Sequence, residues 1–125
     1  SSIGYARKNI GKLGIIAAAN AIVVKGGEPV GTFLQLWLPE NYTERKLKLL
    51  VRQAKETADS LRMDIFDVQV QIQPDASRPL LTAIGIGRQT TQFTGLKPGQ
   101  DVIAITCVPM PATILPQRHQ YTLNA

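Results

Sequence analysis

The hydrophobic residues of this chain follow two periods in turn, and each change of period marks an element. After Ile10, Leu13, Ile16 and Ala17 recur at helical spacing, and Ala18, Ala19 and Asn20 continue the run. This predicts a helix over Ile10–Lys25. Its small residues fall on several sides, as suits a helix pressed closely against a sheet or another helix. Gly26-Gly27 ends it, since glycine takes the left-handed conformation that closes a helix without steric cost. The stretch "EPVGTFLQLWLP" then has a period of two. Val30, Thr32, Leu34, Leu36 and Leu38 fall on one side of a strand, with Phe33, Gln35 and Trp37 on the other. Apolar groups on both faces ask for cover on both, from helices and a partner sheet or at a subunit interface.

The helical period returns in "NYTERKLKLLVRQAKETADSLRMD". Thr43 suits the N-cap, and Glu44 places an anion in the first turn, where the helix dipole favours it. Across Thr43–Leu61 the residues Leu47, Leu50, Val51, Ala54, Ala58 and Leu61 form one apolar stripe. Lys46, Lys48, Arg52, Lys55, Glu56 and Asp59 occupy the remaining surface and read as a solvated face. Next come "DIFDVQVQIQP", alternating from Val68, and "RPLLTAIGIGR", joined by Pro74 to Ser77. Two alternating runs around a short connection predict an antiparallel hairpin. "GLKPGQ" reads as a turn and "DVIAITCVP" as a late strand, while Pro109, Pro111 and Pro116 mark an extended tail. The expected fold is α+β: a mixed or antiparallel sheet covered on one face by two helices, spanning 1–108, with a tail over 109–125.

Composition narrows the partners. The chain has 125 residues, 44% hydrophobic and 18% charged, which suits one ordinary globular domain. Its net charge of +5 comes from scattered basic residues without a dense run, so no nucleic-acid partner is expected. The longest apolar run, Ile15 to Val24, contains Asn20 and falls short of the roughly 20 residues of a membrane span. No membrane association or signal peptide is expected, and the lone Cys107 cannot form an internal disulfide, so the expected address is cytoplasmic. Cys107, in an apolar strand, reads as a buried inert thiol. His119 has no second ligand in reach of a motif and reads as no metal site. Gly85 and Gly87 in "AIGIGR" sit within a strand rather than before a helix, so they are not a phosphate loop. Arg88 beyond them has no assigned role.

Four segments in this order, "NIGKLGIIAAANAIVVKGGEPVG", "LPENYTERKLKLLVRQAKETADSL", "RPLLTAIGIGR" and "LKPGQDVIAI", resemble the aminoimidazole ribonucleotide synthetase superfamily. The resemblance runs from about Asn9 to Ile105, within the family's N-terminal (PurM-like) domain, and is nearest the hydrogenase-maturation branch. It implies ATP and magnesium as cofactors and activation of an oxygen as a phosphate ester. It also implies a homodimer in which two sheets close into a barrel, with nucleotide sites near the interface.

Carried over position by position, the resemblance leaves gaps. Asn20 stands where the family has Asn, but Ala21 follows in place of the magnesium-holding Asp. In "FDVQVQIQ", Val68, Gln69, Val70 and Gln71 replace the family's glycine and acidic groups, and Asp67 is the nearest remaining acid. Lys12, near the start of the first helix, is placed to meet a phosphate. The cofactor-binding candidates are therefore Lys12, Asn20, Asp67, Gln69 and Gln71, with no residue read as catalytic or metal-ligating. Phe33 and Trp37 are the expected dimer contacts. The resemblance further implies aspartate-bearing strands upstream of Gly4 and a glycine-rich C-terminal domain from near Cys107. Two readings follow: a degenerate dimeric binding or scaffold module, or an ATP-binding protein whose site is completed by a partner chain or by further segments.

Overall fold

The computed structural model describes residues 8–90, 99, 101–108 and 119–123. The first helix, α1 (Ile10–Val24), borrows its N-terminal cap from far along the chain. Asn9 occupies the N-cap position without a side-chain cap bond. Instead Gln53 Oε1, from its side chain, accepts from the Lys12 backbone N–H at 3.1 Å. The Gln53 amide nitrogen donates to the Lys8 carbonyl and to Asn9 Oδ1, each at 3.2 Å. One side chain thus satisfies an orphan helix donor and ties α1 to the second helix. The helix closes at Lys25, and Gly26, with φ of 76°, turns the chain into β1 (Gly27–Leu38).

The second helix, α2 (Glu44–Ser60), starts where the sequence places it, with the Thr43 hydroxyl accepting from the Lys46 N–H at 3.2 Å. Leu50, Ala54 and Ala58 of its stripe are buried, Leu47 and Val51 are half-buried, and Leu61, at the C-cap, is exposed. Three strands follow β2 (Asp64–Ile72): β3 (Leu80–Gln89), β4 (Asp101–Val108) and β5 (His119–Leu123). The last lies in the segment expected as an extended tail and pairs antiparallel with β4. Most of the expected "GLKPGQ" turn lies outside the described residues. Gly99 within it has φ of 89°, and its N–H donates to the Gln89 carbonyl at 2.6 Å.

The sheet order is β2-β1-β3-β4-β5, which corrects one expectation. β2 and β3 do not form a hairpin. β1 lies between them, parallel to β2 and antiparallel to β3. The α2 crossover returns the chain to lay β2 parallel beside β1, as a helix-containing connection allows. Residues 73–79 then carry it past β1 to the other side. Alternation decides which face a side chain takes, not which neighbour its backbone bonds. A register shift between Pro29 and Gly31 also turns Val30 outward, away from its expected place beside Leu34 and Leu36.

Both helices cover one face of the sheet, where Leu34, Leu36, Leu38, Leu81 and Ala83 are buried. The small residues of α1 are used for close approach. A Cβ on Gly85 would lie 3.0 Å from the Ala18 carbonyl, and one on Gly87 would run into Ile22. Ala21 and Ile22 pack with Ala104 of β4. On the α2 side, a Cβ on Gly11 would stand 2.5 Å from the Leu50 carbonyl oxygen and 3.1 Å from the Ala54 nitrogen. Backbone atoms cannot turn aside as a side chain does, so Gly11→Ala is expected to cost about 1–3 kcal/mol by forcing the helices apart. A urea titration reads this directly, and an unchanged midpoint would show that the helices do not touch there. Among the described residues, no helix is long and apolar enough to cross a membrane.

Candidate functional site

The second face of the sheet has no helix over it among the described residues. Alternation along β1 sends Phe33, Gln35 and Trp37 to this face, and the register sets them opposite Ile84, Thr82 and Leu80 of β3. Ile86 continues the row and pairs with Ile103 of β4. On the other side, Phe33, Gln35 and Trp37 stand beside Asp67, Gln69 and Gln71 of the edge strand β2. Phe33 is 39% exposed, Phe66 45% and Leu80 37%. The rings of Phe33 and Phe66 meet with centroids 5.2 Å apart at 43°, over the space that Gly31 leaves without a Cβ. The face is therefore an apolar band with a polar line, Gln69, Gln35 and Thr82, across it.

The sequence-derived candidates divide between the two faces. Asp67, Gln69 and Gln71 lie exposed on the open face. Lys12 and Asn20 are exposed on α1, on the helix-covered side, so the sheet separates the two groups. Asp67 turns its carboxylate onto its own strand. One oxygen accepts from the Val68 N–H at 2.9 Å and the other from the Gln69 amide at 3.4 Å. Ala21, where the resemblance implies a metal-binding acid, is fully buried in the packing against Ala104.

Magnesium asks for hard oxygen ligands in near-octahedral array, commonly from carboxylates and phosphates. Among the described residues no group of three His, Cys, Asp or Glu side chains comes together as a metal site. The donor set of these residues, one locally bonded carboxylate beside two amides, does not fit that ion. The side chains of Cys107 and His119 lie outside the described residues, although their backbones belong to β4 and β5.

This fold has counterparts among solved structures. The solved structure of E. coli HypE, a hydrogenase maturation protein, superposes with a TM-score of 0.56 at 30% identity. It covers 62% of this chain and 25% of its own. A HypE–HypF complex matches at 0.57 and 25% identity, over 62% of this chain and 26% of that one. The chain carries the N-terminal-domain fold of the aminoimidazole ribonucleotide synthetase superfamily. The HypE neighbours are hydrogenase maturation proteins, and the likeness of this chain to them is one of fold over part of its length.

Thiamine monophosphate kinase from Aquifex aeolicus shares the fold at a TM-score of 0.54 and 14% identity, over 68% of this chain and 28% of the kinase. The chain spans about a quarter of the length of the HypE proteins it matches. No protein-family model and no curated protein matches the sequence.

The synthetase-like domain also uses residues that sequence reading passed over. Phe66, Leu80, Ile84 and Ile86 complete the open apolar band, yet only Phe33 and Trp37 are legible as its members from the strand they share. The signal for Ile84 and Ile86 was present in the alternation of "LLTAIGIG". Phe66 was hidden by the irregular register between Thr32 and Phe33, which breaks the alternation at the start of β2.

Proposed function

We propose that this synthetase-like domain is a dimeric module. Two copies join through their open sheet faces, and the chain by itself transfers no phosphate. The observation that carries this reading is the apolar band of Phe33, Trp37, Phe66, Leu80 and Ile84, left uncovered by both helices. An exposed contiguous patch of this kind usually marks an interface. The solved HypE–HypF complex shows that a protein of this fold assembles with another chain. The separation of Lys12 and Asn20 from Asp67, Gln69 and Gln71 supports the second half of the proposal, as does the buried Ala21. A cytoplasmic setting is part of the same reading, in keeping with the single cysteine.

Calorimetric titration with ATP and magnesium tests the chemical half. The expected result is no magnesium-dependent saturation at micromolar ATP and no ADP formed. Tight binding followed by product would overturn it. A second reading has its own support. Asp67 keeps a carboxylate on the open face, and a solved HypE in complex with ATP shares the fold at 21% identity. In that reading a partner chain or further segments complete the nucleotide site. Weak ATP binding without turnover, strengthened by such a partner, is its signature.

A further inference from the structure

A cleft of about 760 Å³ opens where β1 leaves the sheet and β3 enters it, beside α2 and the start of α1. Lys8, Lys46, Arg52 and Arg78 line it, and Glu56 is the single acid among its lining residues. The only ion pair among the described residues is Lys48–Glu44, so none of these four cations is held in an ion pair, and with Glu56 the lining carries a net positive charge. Their clustering joins three separate stretches of chain, and on α2 alone Lys46 and Arg52 read as solvated. The floor is apolar: Ile10 and Leu50 are buried, and Tyr42 is half-buried with Lys46 Nζ 5.9 Å from its ring centroid. Burial raises the Tyr42 phenol above its ordinary pKa, so it stays neutral and adds no negative charge. Gln53, also in the lining, is bonded to both Lys8 and Asn9 and holds the two walls together.

An excess of cations, four against one acid, around an apolar floor is a recognisable combination. Guanidinium groups grip planar or tetrahedral oxyanions with paired hydrogen bonds, and an aromatic or aliphatic floor takes a flat or acyl body. A cleft of this size suits a small organic ligand. We propose that it binds a small amphipathic anion, a phosphate or carboxylate carried on an aromatic or acyl body. The site lies on the helix-covered side of the sheet, so it stands or falls independently of dimerisation through the open face.

The test is an amide NMR titration of the full chain with 1-naphthyl phosphate. Shifts centred on Lys46, Leu50, Arg52, Ser77 and Arg78 are expected, saturating with a Kd at or below about 1 mM. Neither 1-naphthol nor inorganic phosphate alone should match it, and each is expected to bind at least about tenfold more weakly, the scale of one charge-assisted hydrogen bond. The exposed pair Arg52→Gln with Arg78→Gln should weaken 1-naphthyl phosphate by a similar factor without moving the thermal midpoint. Binding of 1-naphthoate equal to that of the phosphate would assign the carboxylate form, and weaker binding the phosphate form. Shifts centred instead on Phe33, Trp37 and Phe66, equal affinity for 1-naphthol, or unchanged binding in the double variant would each overturn the proposal.

Discussion

Truncating Leu50 to alanine is expected to cost about 2–5 kcal/mol of folding free energy. Leu50 is 4% exposed and belongs to the main core, where α2 meets α1 and the sheet. Its removal would lose the transfer free energy of three carbons and leave a cavity that cannot easily collapse. Gly11 already brings α1 against the Leu50 backbone, so the helix has no room to rotate into the gap. A domain of this size is stable by only about 5–15 kcal/mol, so the loss is a large share of the total. Leu49→Ala is the control. Leu49 is 53% exposed on the same helix, and its truncation should cost no more than about 0.5 kcal/mol. Chemical denaturation of the two variants reads the difference. Equal effects would mean that the stripe on α2 does not face the core.

Replacing Trp37 by glutamate is expected to abolish the dimer. Trp37 sits on the open face of β1, level with Leu80 of β3 and Gln71 of β2. In an isologous interface the substitution acts twice, because the same patch meets itself across the axis. Two carboxylates drawn into an apolar contact repel each other, and each loses hydration at a cost of several kcal/mol. Sedimentation of the unaltered chain at micromolar concentration should give about twice the 13.6 kDa chain mass. The variant should sediment as the single chain with its helical circular dichroism intact, since α1 and α2 lie on the opposite face. A monomeric unaltered chain would refute pairing through this face. Altered helicity in the variant is resolved by Phe33→Lys, at a more exposed position of the same band.

Much of this architecture was written locally. The Thr43 cap, the Gly26 stop and the apolar stripe of α2 each depend on neighbours within a few residues, and each appears where the pattern places it. The alanines of α1 were also legible as a sign of close packing, although not which partners they met. Pairing was different. β2 and β3 alternate as a hairpin would, but their ladder bonds go elsewhere, because α2 delivers β2 to one side of β1 and the 73–79 connection delivers β3 to the other. The Gln53 cap on α1 joins residues more than forty positions apart, and no local pattern announces it.

The candidate site divides along the same line. Sequence alone determined the two helices, the Thr43 cap, strands β1 to β4, the faces of β1 from Thr32 onward and the residues worth watching, because hydrophobic period and backbone preference act over one or two turns of chain. Only tertiary structure decided that Lys12 and Asn20 stand on one side of the sheet and Asp67, Gln69 and Gln71 on the other. It also decided that Phe66 joins Phe33, and that Lys8, Lys46, Arg52 and Arg78 gather round one cleft. Those outcomes depend on strand order and on how the layers pack. Both are set by burying the apolar faces of sheet and helices together, a condition on the whole chain rather than on any one segment.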